Sequence, residues 1–323
     1  MNFGVLSTAH IGTGSVIPAM QASDHQVLAI ASRDGERAAA AAENLDIPRS
    51  YGSYEDLLAD GDLDAVYNPL PNGLHAEWTK RAADAGLAVL CEKPLASDAA
   101  EARTVFDHCE ERGVTVMEAF MYRFDPRMDR ALDLVRNELG EVRSVDAHFS
   151  FRIDDEQDIR LQPDLDGGSV MDVGCYAISA ARQFLGEPQR VFATTTDTRD
   201  CGVDTSMAGV LEVAGGATAR VSSGFDTTLQ KYVRVGTTDG WLRIEPAFYV
   251  DPDVTTTIEY GVGGRTVTET FDPVDYYRLE VEAFADAVDA GRAPPIDRAE
   301  TLANMAVIDA VYDSAVAGEP IHL

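Results

Sequence analysis

Lysine is nearly absent from this 323-residue chain. Lys80, Lys93 and Lys231 are its three lysines, so 23 of the 26 basic residues are arginine. The 55 aspartates and glutamates outnumber these basic residues and give a net charge of −29. Such a surface repels nucleic acid and anionic membranes, which excludes both as partners. Each remaining lysine is a candidate for a role that arginine cannot perform.

Cysteine and long apolar runs are scarce as well. The four cysteines show no CxxC spacing, and no apolar run reaches the roughly 20 residues that span a bilayer. The chain begins with a strand-like segment and not with a basic-then-apolar leader. We therefore expect a reduced, cytoplasmic protein with no metal site. Acidic residues are spread along the whole chain, which is typical of a salt-rich cytosol, where a Debye length of about 3 Å screens their repulsion.

Two apolar patterns divide the chain. Short apolar runs alternate with helix-like segments at first, which predicts an α/β Rossmann domain with a doubly wound parallel sheet over residues 1–121. Longer alternating segments follow from about residue 141 and predict an α+β domain over 122–323 with a large, mostly antiparallel open sheet. Helices near 276–317 are expected to pack back towards the N-terminal domain.

The segment NFGVLSTAHIG, residues 2–12, has the pattern of a strand, a small-residue turn and a helix start. In dinucleotide-binding turns, glycines permit a tight bend and a close approach of the pyrophosphate to the helix N-terminus. Here Ser7 and Ala9 occupy the first two glycine positions, and Gly12 fits the third. The turn alone allows two interpretations: a phosphate site that includes the Thr8 hydroxyl, or a plain strand-to-helix turn.

The segment ASRDGER bears on the choice of cofactor. A carboxylate about 20 residues after the turn would accept a hydrogen bond from a free ribose 2′-hydroxyl. Ser32 and Arg33 stand there instead, with Arg37 one helical turn on, which suits a 2′-phosphate and favours NADP over NAD. Asp34 and Glu36 complicate this interpretation, and a solvated loop is the alternative.

Polar residues follow two neighbouring strands of the predicted parallel sheet. VLCEKPLAS places Lys93 at the carboxyl edge, where ligands of doubly wound folds bind, and VYNPLPNGLH places Asn72 and His75 near a helix start at the same edge. A strand-end position among so few lysines favours a site over an ordinary surface lysine.

The segment LDGGSVMDVGCYAISAARQFLG is predicted to supply the other half of the site. On a helix, Asp172 and Tyr176 are four residues apart and project together, opposite an apolar stripe. Ser169-x-x-Asp172 is also a capping-box pattern, so Asp172 as a helix cap with Tyr176 as a solvated aromatic is the alternative. The double glycine favours a site, because it lets a ligand or a backbone approach closely.

These motifs together resemble the glucose–fructose oxidoreductase/inositol dehydrogenase-like (Gfo/Idh/MocA) family over essentially the whole chain. The resemblance implies that Lys93 and Asp172 contact the substrate and that Tyr176, where many members have histidine, exchanges the proton. Tyrosine at this position is similar to the branch with NADP-dependent D-xylose 1-dehydrogenases and dimeric dihydrodiol dehydrogenases. It also implies an arginine, Arg160, near the nicotinamide and the substrate. The implied cofactor positions are Ser7, Thr8, Ala9, His10, Ile11, Ser32, Arg33, Arg37, Leu70, Asn72, His75, Glu92, Lys93 and Arg160.

The resemblance implies an activity and two alternatives. It implies oxidation of an aldopyranose, with D-xylose as the first choice, at C1 to the lactone with NADP⁺, although NAD remains possible. A dihydrodiol or polyol dehydrogenase is the alternative within the family, and a non-catalytic NADP-sensing regulator is the alternative from another class. A broad sheet that needs its outer face covered predicts a homodimer or homotetramer formed through the C-terminal sheet.

Overall fold

The computed structural model describes all 323 residues, Met1–Leu323. The chain forms two compact units, of which the first comprises Met1–Met121 with Asp275–Leu302 and the second Tyr122–Val274 with Ala303–Leu323. None of the helices combines the length and the hydropathy needed to cross a bilayer.

The strands form two sheets, and nine α-helices connect or cover them. The strands of the first sheet are β1 (Asn2–Leu6), β2 (Gln26–Ala31), β3 (Arg49–Tyr51), β4 (Ala65–Asn68), β5 (Ala88–Glu92) and β6 (Val116–Ala119). The strands of the second sheet are β7 (Val142–Arg152), β8 (Arg190–Thr196), β9 (Ser206–Glu212), β10 (Thr218–Gly224), β11 (Asp226–Thr237), β12 (Gly240–Ile244), β13 (Thr256–Val262), β14 (Arg265–Phe271) and β15 (Ile321–His322). The helices are α1 (Ile17–Gln21), α2 (Gly35–Asn44), α3 (Tyr54–Leu58), α4 (Asn72–Asp84), α5 (Ala99–Glu111), α6 (Pro126–Asn137), α7 (Cys175–Leu185), α8 (Tyr276–Asp289) and α9 (Arg298–Ala317).

The first sheet is parallel throughout and has the order β3-β2-β1-β4-β5-β6. This is the strand order of dinucleotide-binding folds, so the predicted doubly wound sheet is confirmed. Strands covered on both faces read as continuous apolar runs, and Phe3, Val5 and Leu6 of β1 are fully buried. The sequence analysis missed β3 and α3, which are too short to show a periodicity.

The second sheet has the order β14-β13-β12-β11-β7-β10-β9-β8-β15. Its neighbouring strands are antiparallel except for β7 and β10, so the predicted mostly antiparallel sheet is confirmed. Helix α7 packs on β7 and β10 and defines an inner face. Phe192, Val210 and Trp241 point to the opposite, outer face and are more than a third exposed.

One buried carboxylate connects three parts of the second unit. Asp204, before β9, accepts hydrogen bonds at Oδ2 from the Ser169 hydroxyl (2.7 Å) and the Val170 backbone N–H (2.9 Å). Its Oδ1 accepts from the Tyr312 hydroxyl of α9 at 2.9 Å. Burial raises the pKa of Asp204, and these donors partly offset that effect. The carboxylate therefore caps the helical segment that begins at Val170 and joins it to α9.

We expect Asp204→Asn to destabilise the second unit by about 1–3 kcal/mol, because the amide cannot accept from all three buried donors. Thermal unfolding in high salt measures the effect, with the exposed Asp253→Asn as the matched control. Equal midpoints for the two variants would show that Asp204 does not hold these elements together.

Candidate active site

The turn after β1 adopts a backbone conformation that normally requires glycine. Ser7 has φ +109°, its N–H donates to the Ala31 carbonyl (3.0 Å), and its Oγ accepts from the Ala9 N–H at 3.1 Å. A positive φ costs a residue with a side chain free energy, so the surrounding bonds must maintain it. The chain therefore keeps the bend of a phosphate-binding turn although the first glycine is missing.

A helical segment begins directly after this turn. His10 and Ile11 open it with His10 exposed, and a π-helical turn over Gly12–Val16 leads into α1. A Cβ on Gly12 would meet the Tyr67 and Pro69 side chains at 3.5 Å, an ordinary contact distance. A tight turn followed by a helix N-terminus fits a pyrophosphate.

The acidic residue that complicated the cofactor prediction has a structural role. The Asp34 carboxylate accepts from the backbone N–H groups of Glu36 (3.0 Å) and Arg37 (3.2 Å) and so caps α2. Arg33 and Arg37 are exposed, and Arg37 donates to the Thr8 hydroxyl at 3.4 Å. The two guanidinium groups at this strand end fit a 2′-phosphate.

Arg33 also lies beside the hydroxyl of Tyr54. Ser32, which precedes Arg33 in the chain, is buried. Burial raises the pKa of Tyr54, and the Arg33 guanidinium partly offsets that rise. The Ser32 Oγ accepts from the Asp34 N–H at 3.2 Å, which fixes the start of the loop.

His75 holds the loop that carries Lys93. Its ring nitrogens lie 2.7 Å from the Pro94 carbonyl and 2.6 Å from the Leu70 carbonyl, and the side chain is 1% exposed. The buried Asn68 amide, in turn, donates to the His75 carbonyl at 3.2 Å. His75 therefore connects the loops that follow β4 and β5. Asn72 is the first residue of α4, which follows β4, so Asn72 also lies at the carboxyl edge of the sheet.

Glu92 and the half-buried Lys93 stand at the end of β5. Glu92 Oε1 accepts from the buried Tyr67 hydroxyl at 2.7 Å. Burial, followed by the Glu92 charge, raises the pKa of Tyr67 well above its usual value. The buried Glu118 carboxylate accepts from the Leu95 N–H at 3.0 Å. Several side chains thus fix the backbone on either side of Lys93.

A second buried carboxyl group lies close to Glu92. Glu280 of α8 is fully buried, and neither of its carboxyl oxygens has a hydrogen-bond partner. Burial, with a further contribution from Glu92, raises the pKa of Glu280 well above its usual value; the Phe120 backbone amide has a small opposing effect but is outside hydrogen-bonding geometry. A protonated Glu280 fits this environment, because burial disfavours the charged carboxylate.

In the second unit, Arg160 and Asp172 form an ion pair. Arg160 Nε donates to Asp172 Oδ2 at 2.9 Å, and Nη1 lies 3.2 Å from Asp158 Oδ1. The Asp172 charge, more than any other group, raises the pKa of Arg160. The guanidinium also lies 5.7 Å from the centre of the Phe151 ring. Asp158, which the sequence analysis missed, thus positions Arg160.

The double glycine lets other parts of the protein approach closely. A Cβ on Gly167 would lie 2.4 Å from the Arg160 carbonyl oxygen, and one on Gly168, at φ +116°, would lie 2.4 Å from Asp204 Oδ1. Asp204 caps the helix that follows, whereas the Asp172 side chain pairs with Arg160. Asp172 lies inside a π-helical turn over Val170–Gly174, so the ideal α-helical spacing to Tyr176 does not apply there.

Tyr176 is enclosed by aromatic rings. Its ring centre lies 5.7 Å from that of Tyr122, 5.6 Å from Phe149 and 5.5 Å from Phe248, and the side chain is 5% exposed. The alternative of a solvated aromatic is therefore wrong. No sequence spacing links these rings, because they come from different elements.

Relatives of known activity and structure allow the family to be assigned. Residues 1–120 match an oxidoreductase family with an NAD-binding Rossmann fold, and residues 129–243 match the GFO/IDH/MocA C-terminal domain. The chain is 63% identical over 324 residues to D-xylose 1-dehydrogenase (NADP(+)) 2 of Haloferax volcanii, with all of both chains covered. The chain belongs to the Gfo/Idh/MocA oxidoreductase family. The predicted resemblance is thereby confirmed.

Other relatives of this chain have the names of enzymes with different substrates. Trans-1,2-dihydrobenzene-1,2-diol dehydrogenase of Xenopus tropicalis is 34% identical, with 75% of this chain and 74% of that protein covered. A 3-ketoreductase from Actinomadura kijaniata, solved with NADP and TDP-benzene, superposes with a TM-score of 0.93 at 32% identity, and 97% of each chain is covered. Aldose-aldose oxidoreductase from Caulobacter crescentus, solved with glycerol, gives 0.92 at 29% identity, with 100% and 99% covered.

We expect Ser7→Gly to be more stable than Ser7→Ala by about 1–3 kcal/mol, because glycine adopts φ +109° without strain and both variants lose the bond to Ala9. Denaturant unfolding of the two variants measures the difference. Equal free energies of unfolding would mean that the turn stores no strain at Ser7.

Proposed function

We propose that this chain oxidises D-xylose at C1 to its lactone with NADP⁺. The full-length identity of 63% to an NADP-dependent D-xylose 1-dehydrogenase is the observation that carries the proposal. The presence of a strand-end lysine, a paired aspartate and an enclosed tyrosine supports catalysis over the alternative of a non-catalytic NADP-sensing regulator.

The first unit has residues suited to NADP. We assign the pyrophosphate to the turn of Ser7, Thr8, Ala9, His10 and Ile11 and the 2′-phosphate to Ser32, Arg33 and Arg37. We assign the nicotinamide end to Arg160 of the second unit and, in the first unit, to Leu70, Asn72, His75, Glu92 and Lys93. The positive φ of Ser7 and the diversion of Asp34 to its helix cap are the structural observations that fit this assignment. Bound NADP⁺ supplies the hydride acceptor.

Tyr176 and Lys93 are assigned to the proton. The hydroxyl on C1 must lose a proton as the hydride leaves, and we assign Tyr176 as the proton acceptor. A tyrosine ordinarily titrates near pH 10, so its phenol needs help to give up a proton at neutral pH. An ammonium group stabilises the phenolate, which is the role assigned to Lys93.

Asp172 and Arg160 are assigned to the sugar. Asp172 accepts hydrogen bonds from sugar hydroxyls, and its hydrogen bond from Arg160 orients the carboxylate. The half-buried carboxylate is well suited to this role, because a charged acceptor forms stronger hydrogen bonds than a neutral one.

A dihydrodiol is the second candidate substrate. Such a substrate needs apolar surroundings near its reacting carbon, and Tyr176 lies among the buried rings of Tyr122, Phe149 and Phe248. The partial-length likeness to trans-1,2-dihydrobenzene-1,2-diol dehydrogenase adds support. A screen of cofactor reduction with aldoses, polyols and a dihydrodiol in high salt separates the candidates.

Assembly, domain roles and habitat complete the proposal. Residues 1–121 are assigned to NADP and 122–323 to the substrate and to oligomerisation, with the helices near 276–317 packing towards the N-terminal domain. The exposed Phe192, Val210 and Trp241 support a homodimer or homotetramer formed through the outer face of the second sheet. The charge of −29 supports a cytoplasm of high salt concentration.

We expect Arg33→Ala to weaken NADP⁺ binding by about 1.5–3 kcal/mol, the range for hydrogen bonds to charged groups, and to leave NAD⁺ binding nearly unchanged. The two KM values measure this, with Arg103→Ala, an exposed arginine of α5, as the matched control. An equal change in both KM values would reject the assignment of Arg33.

We expect Tyr176→Phe to lower kcat by roughly 10²–10⁴, because the proton acceptor is lost while the ring remains. Lys93→Met is expected to lower kcat to a comparable degree, and the double variant to be far less than multiplicatively worse, since the two residues act as a unit. Single-turnover hydride transfer is the measurement.

Tyr260→Phe in β13, where a buried tyrosine likewise loses only its hydroxyl, is the matched control for this pair. Near-native hydride transfer by Tyr176→Phe at every pH would end the proposed mechanism. A fully multiplicative double variant would make the two residues independent. Asp172→Asn adds a check: near-native turnover would remove Asp172 from the proposed chemistry, because asparagine keeps the shape of the side chain and loses only its charge in the pair with Arg160.

A further inference from the structure

Lys231 is a lysine to which the proposed mechanism gives no role. It lies in β11 directly opposite Phe149 of β7, so the two side chains share the inner face of the second sheet. Its neighbour Tyr232 points to the outer face and stacks on His148. Lys231 is thus half-buried beside a ring that contacts Tyr176.

Lys231 holds a turn at two points. Its backbone carbonyl accepts from the Ala247 N–H at 2.9 Å. Its ammonium donates to the Tyr249 carbonyl and lies 4.7 Å from the centre of the Tyr249 ring. The residues immediately before and after Phe248 are therefore both bound to the same lysine.

Phe248, between these two contacts, has an unusual backbone. Its φ of +64° lies in the left-handed region, which a bulky residue adopts only when its surroundings impose it. The side chain is 2% exposed and stacks on Phe149 with ring centres 5.5 Å apart and an angle of 9° between the rings. The same ring lies 5.5 Å from that of Tyr176.

The chemistry of lysine suits this position. A compact amine on a flexible stem reaches the carbonyl, whereas the wide planar guanidinium of arginine needs more room. Burial, and to a smaller extent the charge of Arg127, lowers the pKa of Lys231 to about 8. Both the ammonium and the neutral amine carry N–H donors, so the contact with Tyr249 persists on either side of that pH.

We propose that Lys231 is a positioning residue for Tyr176: it fixes the strained Phe248, whose ring in turn orients the Tyr176 ring. This inference rests on the proposed function, in which Tyr176 accepts the proton. Residues 247–249 connect Lys231 of β11 to the ring that packs on Tyr176, so Lys231 acts on the phenol only through Phe248. Lys231 itself contacts neither the phenol hydroxyl nor a reacting atom. Retention of a lysine in a chain that has replaced nearly all others follows from this role.

The test compares Lys231→Met, Phe248→Leu and the double variant. Lys231→Met keeps the length of the side chain without its N–H groups, and Phe248→Leu keeps an apolar side chain without the ring. Each is expected to lower kcat for D-xylose about ten- to a hundredfold, the scale of a small misplacement, with the KM values for NADP⁺ and sugar nearly unchanged. The double variant is expected to be no worse than either single variant.

Lys80→Met, a half-buried lysine of α4, is the matched control and should keep wild-type kcat. Three results would overturn the inference. The first is equal activity of Lys231→Met and Lys80→Met. The second is a raised KM for sugar with unchanged kcat in Lys231→Met, which would indicate a direct substrate contact. The third is a double variant whose loss of kcat equals the product of the two single losses. If Lys231→Met does not fold, Lys231→Gln replaces it, because its amide is too short to reach the Tyr249 carbonyl.

Thermal unfolding of the same variants separates this inference from the proposed function. If the wild-type enzyme does not reduce NADP⁺ with any aldose, the proposed function is refuted, but the inference about Lys231 is not. In that case, the midpoints of thermal unfolding still test the contact between Lys231 and the Phe248 turn. A decrease in the double variant that is smaller than the sum of the two single decreases supports the contact. Additive losses would refute it.

Discussion

The ion pair between Arg160 and Asp172 is the interaction on which the proposed substrate site depends. It fixes the direction of the Asp172 carboxylate, and Asp158 contacts the same guanidinium at Nη1. Gly167 lets the Arg160 backbone approach the segment that carries Asp172, because a Cβ at Gly167 would collide with the Arg160 carbonyl. Removing that clearance would displace both charges together.

Strained or crowded backbone occurs at each part of the candidate site. Ser7 at the phosphate turn, Gly168 before the Asp172 segment and Phe248 beside Tyr176 all have positive φ. Neighbouring bonds hold each of them: Ala31 at Ser7, Asp204 next to Gly168, and Lys231 on either side of Phe248. A positive φ at Ser7 and at Phe248 persists only in well-determined surroundings, so each of these two segments is fixed within its own unit before any ligand binds.

Hydrophobic periodicity and short motifs in the sequence predicted those parts of the fold that depend on residues close together in the chain. The alternation of apolar runs gave the parallel sheet and placed Lys93 at its carboxyl edge, and the Gly-Gly helix pointed to Asp172 and Tyr176. The role of Asp204 as the helix cap and the ring of aromatic residues around Tyr176 arise from contacts between distant segments, which no spacing reveals. The positive φ of Ser7 could not be predicted because serine does not signal it, and the scarcity of lysine marked Lys80, Lys93 and Lys231 alike.

Transfer of deuterium from D-xylose labelled at C1 tests the central claim most directly. The enzyme in molar salt with NADP⁺ and the labelled sugar should form xylonolactone and NADPH that carries one deuterium at nicotinamide C4, detected by mass spectrometry and NMR. Unlabelled NADPH, or no NADPH with this sugar, would contradict oxidation at C1.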